Sequence, residues 1–180
     1  MHPEDQALKI IVMGVSGSGK STLATMLSDA LRLHMKDGDE LHLPESVAKM
    51  SAGIALQDED RWPWLDRIAN YLNNTETEHE RGGIVACSAL KKIYRDRIRQ
   101  QAGPVVFLFL DGNADLIRQR MHQRVGHYMQ PGLLDSQLQT LEKPTAAESD
   151  VITLPIDQPV AQILKQALEA LKASTTIALP

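Results

Sequence analysis

The sequence holds one cysteine, Cys87, among 180 residues. No intrachain disulfide can form, and a reducing compartment fits that usage. Cys87 ends the apolar run Gly83-Ile84-Val85-Ala86-Cys87, so burial as a small apolar residue is expected rather than reactivity. A basic surplus is missing too. Lys and Arg number 19 against 23 Asp and Glu, a formal net charge of −4, which argues against a general nucleic-acid binder. Small anionic substrates stay open, because cations can gather at one site. No apolar stretch reaches the roughly 18 residues that would span a bilayer. No basic segment followed by an apolar one opens the chain, so no signal peptide is expected. The expected location is therefore cytoplasmic, with no membrane partner. Internal repeats and low-complexity segments are also absent.

What is present is ordinary in bulk, 43% hydrophobic and 23% charged residues, and specific in one place. Gly14-Val15-Ser16-Gly17-Ser18-Gly19-Lys20-Ser21 fits G-x-x-x-x-G-K-[ST], a phosphate-binding loop. Leu8 to Met13 precedes it as a short buried strand would. Leu23, Met26, Leu27, Ala30 and Leu31 follow at helical spacing. Glycines let backbone N–H groups surround phosphate oxygens, and the new helix points its positive end at the same anion. Lys20 adds a mobile charge for the β- and γ-phosphates, and the Ser21 hydroxyl is a ligand for Mg²⁺. ATP and Mg²⁺ are therefore the expected cofactors, held by residues 14 to 21 and the adjacent Thr22.

Strand-like runs at 8–13, 83–87, 104–110 and 151–156, with a weaker one near 33–36, alternate with helical stretches. The helices are expected at 20–32, 45–51, 58–78, 89–101, 113–124, 135–141 and 159–173. This alternation implies an α/β fold, a parallel sheet of about five strands with helices on both faces. One domain is expected over residues 1–180, with a lid near 120–135 and a frayed tail from 174. Ligands of such folds bind beyond the carboxyl ends of the strands.

Three further constellations fall at that edge. Asp37-Gly38-Asp39 puts two carboxylates in one loop mouth, where one can hold Mg²⁺ through water and the other can take a hydroxyl proton. A plain Asp-Gly turn accounts for the same residues equally well. Ser88 reads as the N-cap of a helix that places Lys91 and Lys92 at its third and fourth positions, an unfavourable end for cations that hints at an anion. Arg120 and Arg124 share a helix face, and a glycine-containing segment follows them, as in a closing lid. Arg118 reads as solvated surface. Asp111 follows an apolar strand in the manner of a Walker B acid, but with Gly112 behind it a strand-end turn is the simpler reading.

Several blocks together resemble gluconokinases, P-loop kinases of the shikimate-kinase-like group. These are the phosphate loop; Asp37-Gly38-Asp39-x-Leu41-His42; Lys49-Met50-x-x-Gly53-x-x-Leu56-x-Asp58-x-Asp60-Arg61-x-x-Trp64-Leu65; Cys87-Ser88-Ala89-Leu90-Lys91-Lys92-x-Tyr94-Arg95-Asp96; and Arg120-x-x-x-Arg124-x-Gly126-His127. The resemblance runs to about Pro159. It implies transfer of the ATP γ-phosphoryl to the 6-hydroxyl of D-gluconate. Carried over, it implies a catalytic set of Lys20, Asp39, Arg120 and Arg124. Asp39, His42, Lys49, Arg61 and Lys91 would surround the sugar acid, and Ser21 and Asp37 would serve the metal. The loop Ile156-Asp157-Gln158-Pro159 resembles the adenine-side loop of these kinases. One departure is Leu43 standing between His42 and Pro44. From the residues alone, another small-metabolite kinase of shikimate-like type or a non-catalytic nucleotide switch stays open. A guanine-specific switch would carry Asn-Lys-x-Asp, which is missing. The assembly, monomer or homodimer, is left open by the sequence.

Overall fold

The structure is a computed structural model that describes residues 7–79, 82–123 and 131–174. Its centre is a five-stranded parallel sheet in the order β2-β3-β1-β4-β5. The strands are β1 (Leu8–Met13), β2 (His34–Asp37), β3 (Gly82–Ala86), β4 (Val106–Asp111) and β5 (Val151–Pro155). The central strands are apolar apart from Lys9 and the terminal Asp111, because both faces of a parallel sheet are covered. Side chains alternate across the sheet, and this splits the core in two. Ile10 and Val12 of β1 face one cluster with Leu23, Leu27, Ile163 and Leu171. Ile11 and Met13 face the other, with Trp64, Leu65, Ile68, Ile98 and Phe107.

The helices of the first cluster are α1 (Lys20–Leu31) and α7 (Val160–Ser174). Those of the second are α3 (Asp58–His79) and α4 (Lys92–Ala102). A short 3-10 helix (Gly38–Leu41) and α2 (Pro44–Ser51) follow β2, while α5 (Ala114–His122) and α6 (Pro131–Thr140) lie between β4 and β5. β1 at the centre pairs with β3 on one side and β4 on the other. The phosphate loop therefore leaves the middle of the sheet, flanked by the ends of β3 and β4.

Two helix starts differ from the sequence reading. α6 begins at Pro131, earlier than the expected 135. α4 begins at Lys92, so Ser88 is not its N-cap and Lys91 and Lys92 are not in its interior; Lys91 is itself the N-cap residue. The cause is long-range. The chain leaves β3 through Ala89 at φ +44, in the left-handed region that an alanine rarely enters. The buried guanidinium of Arg95 holds that turn by donating to the carbonyls of Ala89 and Leu90 at 2.9 and 3.2 Å. Glu142 Oε1 takes the Lys92 N–H at 2.9 Å, the bond a helical start at 89 would have used internally.

Candidate active site

The phosphate loop joins β1 to α1, and its three glycines after Val12 all have positive φ. At Gly17 (φ +81) a Cβ would lie 2.6 Å from Met121 Cγ of α5, so both the backbone and the packing demand glycine. Lys20 Nζ reaches back over the loop to the Val15 carbonyl at 3.1 Å. Ser18 is buried, and its hydroxyl finds no hydrogen-bond partner among the described residues. The loop opens on a cavity of about 330 Å³ lined by Gly17, Gly19, Thr22, Arg120, Gln158 and Val160. Arg120 donates to the Ile156 carbonyl across this cavity. Gln158 is fixed there by the Pro155 carbonyl and the Gln166 amide, each at 2.7 Å. The Ile156–Pro159 loop thus borders the same cavity as the phosphate loop.

On the other side of the loop stands the β2 end. Asp37 Oδ2 accepts from the Ser21 hydroxyl at 3.3 Å, and its Oδ1 accepts from the Asp39 N–H at 3.0 Å. Asp37 therefore ties the first turn of α1 to the acidic turn. Gly38 is pressed against β3: a Cβ there would lie 2.7 Å from the Ala86 carbonyl. The Asp39 carboxylate is exposed and makes no hydrogen bond among the described residues. Cys87 lies beneath these groups, fully inert: burial pushes its thiol up to about 12, while Lys20, Asp39 and Asp37 all act on it electrostatically. That one thiol records how closely the lysine and both carboxylates converge. Ser21 and Asp37 could hold a metal ion that arrives with a nucleotide. Among the described residues, no cluster of three or more acidic, His or Cys side chains forms a metal site of its own.

His42 stacks on Trp64 with ring centroids 4.3 Å apart and planes at 12°. Trp64 in turn donates its indole N–H to the Gly38 carbonyl at 2.7 Å, in a buried position. Burial holds the His42 imidazole below its ordinary pKa; Asp39 opposes that shift and Arg61 adds to it. His42 Nδ1 is buried without a hydrogen-bond partner among the described residues. Asp39, His42 and Arg61 are thereby electrostatic neighbours, although they come from two different elements.

The cations beyond them gather on α3, where Lys49 comes from α2, Lys91 from the start of α4 and Arg61 from α3 itself. Lys49 pairs with Asp60 at 2.7 Å, and this bond, with the Gln57 N–H, holds the Asp60 carboxyl below its usual range. Lys91 pairs with Asp58 at 3.2 Å. The Tyr94 hydroxyl donates to Asp58 at 2.6 Å, and that bond first, then Lys91, lowers the Asp58 pKa. Arg61 donates to the Leu56 carbonyl and to the Tyr94 hydroxyl at 3.1 and 2.9 Å. It makes no direct ion pair among the described residues, but its charge acts on the Asp58 and Asp60 carboxylates close by. Arg118 pairs with Asp115 and Asp135 on the surface, as a solvated residue should. Arg124 lies outside the described residues, as does the middle of the expected lid.

Asp58, Asp60, Trp64 and Tyr94 stand inside the blocks that carried the resemblance, but sequence reasoning gave them no role. Asp58, Asp60 and Trp64 open α3 and Tyr94 opens α4, both polar helices in which no spacing set these side chains apart. Gln137 of α6, which accepts from the Ser16 N–H at 2.7 Å, had no signal at all.

Known proteins share both the sequence and this arrangement. The family profile described as shikimate kinase matches residues 16–172. The thermosensitive gluconokinase of Escherichia coli (strain K12) is 43% identical over 163 residues, which covers 91% of this chain and 87% of that one. The chain belongs to the gluconokinase family. The thermoresistant gluconokinase of the same organism is 38% identical over 90% of this chain and 92% of its own. A crystal structure of a gluconokinase from Sinorhizobium meliloti 1021 superposes with a TM-score of 0.83 at 42% identity, covering 93% of each chain. The phosphate loop, the carboxylate pair beside it and the cation cluster beyond thus stand in a chain of gluconokinase sequence and fold. Among its described residues, no helix is long and apolar enough to cross a membrane.

Proposed function

We propose that the protein phosphorylates D-gluconate with ATP, giving 6-phospho-D-gluconate and ADP. The observation that carries this reading is a phosphate loop and a cation cluster on opposite sides of one free carboxylate, in a chain 43% identical to a gluconokinase. The nucleotide phosphates lie in the loop, with the base toward Gln158 and Val160. The gluconate carboxylate lies at Arg61, whose guanidinium is held in place by the Leu56 carbonyl and the Tyr94 hydroxyl, with Lys49 and Lys91 on the neighbouring carboxylates. His42 borders the sugar chain. This leaves the far hydroxyl at Asp39.

Asp39 accepts the 6-hydroxyl proton as that oxygen bonds to the γ-phosphorus and the bond to the β-phosphate oxygen breaks. Lys20 leaves the Val15 carbonyl and follows the charge onto the transferring group. Arg120, and by the same resemblance Arg124, neutralises charge on the phosphates. The donor set of Ser21 and Asp37, two hard oxygen ligands 3.3 Å apart at the loop's metal side, fits Mg²⁺. A Mg²⁺ ion held there by Ser21 and Asp37 would supply positive charge to the nucleotide phosphates. The reaction is placed in the cytoplasm, where ATP is available and Cys87 stays reduced. A homodimer is compatible with this reading and not required by it.

An ADP-release assay across sugar acids, shikimate and nucleoside monophosphates, with and without Mg²⁺, tests the acceptor. Mg²⁺-dependent ADP release is expected with gluconate above the others. Release with shikimate or a nucleoside monophosphate and none with gluconate would overturn the reading.

A further inference from the structure

The peptide unit between Val15 and Ser16 is held at both ends. Its carbonyl, on Val15, accepts from Lys20 Nζ at 3.1 Å and from the Ser18 N–H at 3.2 Å. Its N–H, on Ser16, donates to Gln137 Oε1 at 2.7 Å, a contact between residues 121 apart in sequence. One amide plane therefore links a half-buried glutamine of α6 to the phosphate-loop lysine. Accepting at the N–H end polarises the unit and strengthens its carbonyl as an acceptor for the ammonium. It also fixes the plane's rotation, which decides where the carbonyl points. Gln137 is the side chain on the N–H side of this unit, and its own Nε2 donates to nothing among the described residues.

The placement along the loop matters as well. Residues 19 to 21 form the start of α1, the anion-facing end of a helix. The Gly14 N–H instead donates to the Ser88 carbonyl just past β3, at 3.4 Å. On that side Gly38 packs on Ala86 and Cys87 and carries the two carboxylates. Residues 14 to 16 thus border the acceptor, and residues 19 to 21 border the inner phosphates. A Ser16 N–H committed to Gln137 does not itself bind phosphate. Its effect on transfer runs through the peptide plane to Lys20.

Resting on the phosphoryl-transfer reading above, we propose that Gln137 is a positioning residue for Lys20. It holds the Val15–Ser16 peptide in the orientation that stations the ammonium over the loop, so that the lysine meets the γ-phosphoryl in the transition state. ATP binding rests on the inner half of the loop and does not need it.

The test is Gln137→Met, which keeps the side chain's length and removes the acceptor. Losing one hydrogen bond to a group that carries or aligns charge predicts a fall in kcat of about tenfold or more, with KM for ATP within about twofold. The melting temperature is expected to stay native, since Gln137 is only half-buried. The Ser16 amide should exchange with solvent faster, with or without substrate. In a Lys20→Ala background the same substitution should cost nothing further, because a residue acting through Lys20 has nothing left to position. Native kcat, a parallel loss of ATP affinity, or penalties that multiply in the double variant would each overturn the proposal. ADP release by the unsubstituted protein is the control. If that fails, the function reading is wrong, while the amide exchange of Ser16 still tests the hydrogen bond itself.

Discussion

Trp64→Phe separates the support of the acidic turn from its chemistry. The indole N–H is the buried donor to the Gly38 carbonyl, at 2.7 Å, and Trp64 is 3% exposed. Phenylalanine keeps a ring against His42 but removes the buried indole bond, leaving that carbonyl with only the bond of its own 3-10 turn. Losing a buried hydrogen bond costs about 0.5–1.5 kcal/mol, and the lost ring volume adds on the order of 1 kcal/mol more. For a chain of this size, that corresponds to a fall of about 3–10 °C in melting temperature. The local consequence is sharper. Gly38 lies close against β3, where even a Cβ would come within 2.7 Å of the Ala86 carbonyl. The turn relaxes toward solvent and carries Asp39 with it. Turnover of gluconate is expected to fall about tenfold, because small misplacements of a reacting group cost that much or more. Affinity for ATP should hold, since Asp37 and the phosphate loop keep their own contacts. Calorimetry and steady-state kinetics on the same preparation measure both effects. A variant that melts lower yet turns over gluconate at the native rate would refute the claim that Trp64 positions Asp39.

Three other outcomes follow from the same geometry. Lys20→Ala should lower kcat by about a hundred- to a thousandfold, the usual cost of losing a donor to developing charge, and steady-state kinetics with Mg-ATP would show it; near-native turnover would remove Lys20 from the transferring group. Asp39→Asn keeps the shape but cannot take a proton, so turnover should collapse while ATP binding, followed by titration calorimetry, survives; if Asp37→Asn abolishes activity and Asp39→Asn is silent, the two roles are reversed. Glu148 is held at about 2 chiefly by hydrogen bonds from buried Arg95, helped by Arg99, against an ordinary value of 4.5. A depressed carboxyl stabilises the fold above its unfolded pKa and loses that contribution as pH falls toward the folded one, here on the order of 3 kcal/mol between about pH 4.5 and 2. Urea melts of Glu148→Gln should therefore show lower stability at neutral pH and a weaker decline in acid than the unsubstituted protein; parallel declines would contradict the assignment.

The loop, the sheet and the two-faced core were legible in the sequence because each rests on local pattern. Glycine spacing names the phosphate loop, and short apolar runs name the strands. The turn at Asp37-Gly38-Asp39 was visible as a pair of carboxylates, but its rigidity was not, since Trp64 and the Ala86 carbonyl come from elsewhere in the chain. The start of α4 was misplaced for the same reason. Ser88 is a good cap by type, and only the buried Arg95, fixed by Glu148 from 53 residues away, explains why the helix waits until Lys92. His42, Lys49, Arg61 and Lys91 were named one by one. The gathering of the last three around Asp58, Asp60 and Tyr94 depends on α2 and α4 both meeting α3. Gln137 shows the limit: a single glutamine in a polar helix gives no hint of a partner in the phosphate loop.

The central claim is that the carboxylate of the acceptor is read at Arg61 while its far hydroxyl meets Asp39. The measurement that tests it most directly is phosphorus NMR of the product formed from Mg-ATP and D-gluconate by the unsubstituted protein, with coupling to the sugar-acid carbons assigning the ester. The account predicts a single phosphate ester on the 6-oxygen. An ester at another hydroxyl, or inorganic phosphate in place of any ester, would contradict it.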